Sequence, residues 1–310
     1  MQKPIPSRDL SRKLFPPVAL EDHVFLENAL RFPFRPRPAG TNGYDPLNAW
    51  WLAELSLLAY SESDFIESEL RKVNLELEKP LLNGKSTQGF VAEGDGFAIA
   101  VFRGTQVFLP GRDTLEVLRG ALTDTVADLR FGLVPAPAPA HGRVHRGFLK
   151  ALDEIFDQLS GVLRDGRVWL TGHSLGGALA ALAAARLPKV QGVYTFGAPS
   201  VGDAEFGAGR HTVRFVHGSD FITQLPFSAP LLPPRFPFFG RYRPEGEIVS
   251  IDREGRLWDG APDSTFGRRA LGKIRQLPTD SLLDHSPLFY PIHLWNLFDR
   301  QSPEFPPGRS

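Results

Sequence analysis

Val168-Trp169-Leu170-Thr171-Gly172-His173-Ser174-Leu175-Gly176-Gly177, continued by an Ala/Leu-rich run to Leu187, is the stretch that decides the fold. A short apolar run leads into Gly-x-Ser-x-Gly, and the chain then turns to strong helix formers. Strand, tight turn and helix in that order are the setting of a nucleophile elbow, which holds a serine exposed on a strained turn. Gly172 and Gly176 let two backbones pass close to the serine. The first N–H groups of the helix then face any negative charge that develops beside it. Ser174 is the candidate nucleophile.

Working outward, Val190–Phe196 and Thr212–His217 are further short apolar runs, each after a helix or loop. Strands alternating with helices predict an α/β fold, with a mostly parallel central sheet and helices on both faces. Upstream, Thr87–Ala92 and Phe97–Arg103 read as a hairpin around Glu93-Gly94-Asp95-Gly96. Asp45-Pro46 reads as an N-cap and first helical position, opening a helix over Leu47–Tyr60. Pro135–Ala140 alternates proline and alanine and is read as an extended connector. Phe148–Leu163 is read as one amphipathic helix, and His285–Phe298 as the last helix, starting near Ser286-Pro287. Residues 1–43 form an irregular arm and 44–300 the main domain. Within that domain, 226–258 is a proline-aromatic loop and hairpin insertion, and 301–310 is a frayed tail.

Composition narrows the classes. The 310 residues carry 35 basic and 35 acidic side chains, so no basic excess suggests nucleic acid as a partner. There is no cysteine, which excludes disulfides, thiolate catalysis and sulfur-ligated metal. The 28 prolines exceed the usual share of about 5% and imply many stiff loops. No apolar run approaches the roughly 20 residues of a membrane span. The N-terminus lacks the apolar stretch of a signal peptide. A soluble chain is expected, cytoplasmic or secreted without a recognisable signal. His141-Gly-Arg-Val-His145 has metal-like spacing but no evident third ligand, so neither metal nor cofactor is expected.

A nucleophilic serine needs a base, and the base an orienting carboxylate. In doubly wound hydrolases they follow in the order Ser, Asp, His, on loops after strands. Asp220 follows the run Val213–His217, and Asp203, in Ser200-Val201-Gly202-Asp203, is its rival. His285 and His293 remain in the required order. His285 stands in a loop and His293 within the final helix, so His285 is the candidate base.

Phe102-Arg103-Gly104-Thr105, Val144-His145-Arg146-Gly147-Phe148, Thr171–Gly177, Phe196-Gly197-Ala198-Pro199 with Val201-Gly202-Asp203, and Val216-His217-Gly218-Ser219-Asp220 with Leu225-Pro226 all occur in order. Together they resemble the landmark motifs of class 3 lipases, the fungal-lipase-like α/β-hydrolases, over about residues 85–298. The resemblance implies Ser174 as nucleophile, Asp220 rather than Asp203 as acid, and His285 as base. It also implies that Thr105 lines an oxyanion hole with the backbone N–H of Leu175, and that Arg103, His145 and His173 are scaffold.

The stretch before Asp124 is longer than that family usually has. In it, Asp113 and Glu116 suggest a helix start, and Leu115, Leu118 and Leu122 recur at helical spacing. Residues 106–123 are therefore the candidate lid, with a leucine face that would cover an acyl pocket in water and turn to lipid at an interface. The expected activity is carboxylic ester hydrolysis, most simply of acylglycerols. Phospholipase A1, a short-chain or aromatic-acid esterase, acyl transfer to an alcohol, and an inactive lipid- or partner-binding hydrolase fold are the alternatives.

Overall fold

A computed structural model describes residues 2–8, 14, 16, 20, 22–36, 44–105, 132–163, 166–206, 211–226, 242–261 and 279–301. The candidate lid at 106–123, most of the proline-aromatic loop and the tail after Gln301 lie outside these residues.

Asp45 starts the first helix as its chemistry dictates. Its Oδ1 accepts the N–H groups of Leu47 (2.8 Å) and Asn48 (3.2 Å), while Pro46 takes the first helical position, where no N–H is needed. Helix α1 (Pro46–Leu58) is apolar on every side and buried throughout, as such a helix must be. Helix α2 (Ser63–Lys72) follows. Strands β1 (Glu76–Asn83), β2 (Gln88–Gly94) and β3 (Phe97–Phe102) form an antiparallel meander whose β2–β3 hairpin turns at Gly94-Asp95-Gly96-Phe97. The chain then makes β4 (Leu133–Pro135), β5 (Arg143–His145), α3 (Arg146–Asp153), α4 (Phe156–Val162), β6 (Arg167–His173), α5 (Leu175–Arg186) and β7 (Val190–Phe196). After these come β8 (Gly202–Asp203), β9 (Thr212–His217), β10 (Tyr242–Arg243), β11 (Glu247–Ile251), β12 (Leu257–Asp259), α6 (Thr279–Leu283) and α7 (Phe289–Gln301).

Among the described residues, eight strands form the main sheet in the order β1-β2-β3-β6-β7-β9-β11-β12. The five from β3 to β11 run parallel, and the two edges are antiparallel. A small antiparallel sheet, β10-β8-β5-β4, lies apart, with Pro135 ending its edge strand, where a missing N–H is tolerated.

Alternation along the strands builds two cores. Ile99, Val101 and Trp169 face a layer made by α1, α7 and the N-terminal arm. Ala100, Phe102 and Leu170 face α3, α4 and α5. From the arm, Phe32 and Phe34 are buried, making edge contacts with Trp295 and Trp51 respectively. No helix among the described residues is long and apolar enough to cross a membrane.

Two helix boundaries differ from the sequence reading. Phe148–Leu163 is two helices, because the Ala151 carbonyl is taken by the Thr87 hydroxyl (2.9 Å) and Ile155 N–H bonds back only to Leu152 (3.0 Å). The break buries Ile155 fully and frees the Glu154 carboxylate to accept from Ser86 N–H (2.8 Å). The last helix begins at Phe289 rather than near Ser286. The residues before it form the short α6 and a turn, which carries His285.

Candidate active site

Ligands of open parallel sheets bind beyond the carboxyl ends of the strands, and three of the sequence candidates meet at that edge. Ser174 follows β6 directly and adopts φ 56°, ψ −126°, a conformation that costs a non-glycine residue of order 1–3 kcal/mol. The elbow is held on both sides. Ser174 N–H donates to the Phe196 carbonyl of β7 (2.9 Å), and its own carbonyl accepts from Gly177 (3.0 Å). A methyl group on Gly176 would strike the Phe102 carbonyl, so only glycine lets α5 start this close to β3.

Asp220 lies three residues past β9 and is buried. Its Oδ1 accepts from Ile222 N–H (2.9 Å), and its Oδ2 lies 2.8 Å from His285 Nδ1. His285, 3% exposed, turns its other ring nitrogen to Ser174 Oγ at 3.0 Å. A carboxylate has no proton to donate, so Nδ1 carries the hydrogen and Nε2 is free to accept the serine's. The three side chains, from loops 46 and 65 residues apart in sequence, make one hydrogen-bonded series.

The rivals lie elsewhere. Asp203 Oδ1 accepts from Arg143 N–H (3.1 Å) and Phe206 N–H (3.1 Å), inside the small sheet. His293 is buried in α7 with its ring stacked on His217, centroids 5.2 Å apart. Neither of its ring nitrogens has a partner among the described residues, and burial pushes its pKa down to about 3.

Thr105 is exposed on the loop leaving β3, whose last residue pairs in register with Gly172 of β6. Leu175 is the first residue of α5, where backbone N–H groups have no acceptor within the helix. Both therefore border the elbow. His145 caps α3, accepting Phe148 N–H at Nδ1 (3.1 Å), and burial lowers its pKa to about 4.

His173, the residue between Gly172 and Ser174, has a more specific place than the sequence suggested. Its Nε2 lies 2.8 Å from the His285 carbonyl, which can only accept, so Nε2 carries the proton. Nδ1 then accepts from Tyr60 Oη–H at 2.9 Å. Burial above all, helped by the neighbouring His285, keeps His173 well below the ordinary histidine value and therefore neutral. A fixed imidazole thus ties the elbow to the main chain of His285. Tyr60, two residues beyond α1, completes this tie, and no sequence motif marked it.

A family model for lipases of class 3 matches residues 100–229, the segment that holds the elbow, β7, β9 and Asp220. The solved structure of the Rhizomucor miehei lipase in its propeptide complex is 25% identical, with a TM-score of 0.55, over 80% of this chain and 81% of that one. The chain's likeness is to the class 3 lipases. In sequence, the chain is 32% identical to the Rhizomucor miehei lipase over a 165-residue alignment that covers 46% of this chain and 42% of that protein. It is also 32% identical to a secreted mono- and diacylglycerol lipase of Fusarium solani over 133 residues, 37% of this chain and 40% of that protein. The chain thus matches less than half the length of these curated relatives.

Proposed function

We propose that this protein works as a class 3 lipase, a serine hydrolase of carboxylic esters acting on acylglycerols through an acyl-enzyme. The observation that carries the reading is the series Ser174 Oγ···Nε2 His285 Nδ1–H···Oδ2 Asp220, with contacts of 3.0 and 2.8 Å. In it, Ser174 Oγ attacks the ester carbonyl carbon while its proton passes to His285 Nε2. Asp220 remains ionised, fixes the tautomer and stabilises the imidazolium. The negative oxygen of the tetrahedral species is held by Thr105 and by the N–H of Leu175, each such donor being worth about 2.7–4 kcal/mol in the transition state. Collapse breaks the bond to the alcohol, which takes the proton from His285. A water molecule then gives a proton to His285, attacks the acyl-enzyme and releases the acid, and Ser174 recovers its hydrogen. Apart from the substrate and this water, the groups in each step are side chains and main chain of the protein.

A substrate panel tests the reading. p-Nitrophenyl esters of increasing chain length, run beside emulsified triglyceride and phosphatidylcholine, should give turnover that is abolished in Ser174→Ala. Turnover of triglyceride above that of soluble short esters supports acylglycerol hydrolysis. Preference for phospholipid would make it a phospholipase A1, and preference for butyrate an esterase. No turnover of any ester would leave a binding protein on a hydrolase fold.

A further inference from the structure

Asp284 immediately precedes His285, and its side chain has no exposed surface. Ser219 immediately precedes Asp220 and donates to Asp284 Oδ2 twice, from its N–H and its hydroxyl, at 2.9 Å each. Ser281 Oγ–H returns a bond to the Ser219 carbonyl (2.6 Å), and His217 Nδ1–H reaches the Asp284 carbonyl (3.0 Å). The bonded pair Ser219·Asp284 therefore stands one residue upstream, on both segments, of the bonded pair Asp220·His285. The segments are pressed together. A side chain on Gly218, which sits at φ +55°, would run into the Asp284 carboxylate.

Two cations hold that carboxylate. Arg253, from the turn between β11 and β12, places Nη2 3.0 Å from Oδ2 and Nε 3.3 Å from Oδ1. Arg8, from the N-terminal arm, bonds Oδ1 through Nη1 and the Asp280 carbonyl through Nη2 (2.9 Å). Burial pushes the Asp284 carboxyl up. Arg253, His217, the Ser219 N–H and Arg8 outweigh it and hold the group below the usual carboxylate range. On the other side of His285, the Ser286 hydroxyl donates to the Leu14 carbonyl, again in the arm. Both chain neighbours of His285 are thus tied to residues more than 270 positions away in sequence.

We propose that Asp284, gripped by Arg253 and by Arg8 of the N-terminal arm, is the positioning residue that sets His285 against Asp220 and Ser174. The role rests on the reading of those three as a catalytic triad. The arm is then a working part of the site, because it fixes the peptide on either side of the base. Misplacement by about 1 Å costs a catalytic group on the order of a hundredfold, which is what loss of the grip would produce.

The test uses the full chain and a soluble ester, p-nitrophenyl butyrate, with kcat, KM, melting temperature and the rate of fluorophosphonate labelling at Ser174 as readouts. Asp284→Asn should lower kcat by about a hundredfold and Arg8→Gln by about tenfold, with KM within about twofold. Millimolar guanidinium, far below denaturing levels, should restore part of the kcat of Arg8→Gly, which a merely destabilised fold would not allow. Arg35→Gln, an exposed arm residue paired with Asp45, should leave kcat unchanged. Should Arg8 variants fold poorly, Ser286→Ala removes the bond to Leu14, together with a long one (3.4 Å) accepted from Leu288 N–H, and should still lower kcat severalfold. Parent-like kcat and labelling in Arg8→Gln and Asp284→Asn, or losses accounted for by unfolded protein, overturn the positioning role alone. A parent that is not labelled at Ser174 overturns the triad reading, and the positioning role with it.

Discussion

The two faces of the main sheet are built from different materials. The face under α5 is lined by Ala178, Ala180, Ala181, Ala183 and neighbouring leucines. The face under α1, α7 and the arm holds Trp50, Trp51, Trp169 and Trp295. The small face follows from the chemistry at its edge. Ser174 opens α5, and the elbow forms only if that helix lies close on β3, β6 and β7, which short side chains permit. The aromatic face has no such constraint and can fill a deeper layer with large rings, each burying some 150–250 Å². Reaction geometry is set on one face and bulk stability on the other. His285 is the exception, since it reaches the elbow from the turn that leads into the aromatic side.

Substitutions can break or sharpen that contrast, and the largest effect lies at the elbow. Ser174→Ala should reduce ester turnover by about 10⁵–10⁶-fold, while urea unfolding changes by less than about 0.5 kcal/mol. Comparable losses of stability and rate would erase the division between the faces. On the other side, Trp295→Ala removes a fully buried ring that packs on Trp50 (4.9 Å) and Phe32 (6.0 Å). It should cost about 3–5 kcal/mol, with kcat per folded molecule within a fewfold of the parent. A collapse of kcat in protein that is still folded would show that the aromatic layer shapes the site directly.

The smallest effect is a slope. His145, His173, His217 and His293 are all pushed below the ordinary histidine value of 6.5, chiefly by burial, to about 4 for His145 and about 3 for His293. The unfolded chain binds protons that the fold refuses, so stability is complete above about pH 6.5 and falls as pH drops toward those folded values. Each such histidine contributes about 1.4 kcal/mol per pH unit within its window. His293→Phe keeps the ring and removes one of them. Denaturant unfolding between pH 6 and 5 should then lose stability less steeply by about that amount, and an unchanged slope would mean that His293 is charged in the fold.

Much of this was legible in the sequence where local chemistry decides. Asp45-Pro46 fixed a helix start, Gly172 and Gly176 marked the elbow, and the apolar runs of β7 and β9 were complete as read. The family motifs then ranked Asp220 over Asp203, and the structure brings Asp220 to His285 at 2.8 Å. Where the sequence misled, the cause lay far along the chain. The Thr87 hydroxyl takes a carbonyl of the 148–163 segment and splits the helix, which no local pattern could show. Tyr60 and Arg8 reach His173 and Asp284 from 113 and 276 residues away and belong to no motif. Such contacts exist only once the sheet has brought its loops together.

The central claim is that His285, oriented by Asp220, makes Ser174 a nucleophile. The most direct measurement is the rate at which a fluorophosphonate probe labels the folded enzyme, with the modified peptide identified by mass spectrometry. The account predicts a single label on Ser174 in the parent, at least about a thousandfold slower labelling in His285→Ala, and a near-parent rate in His293→Ala. A label on another serine, or a Ser174 that reacts equally fast without His285, would contradict it.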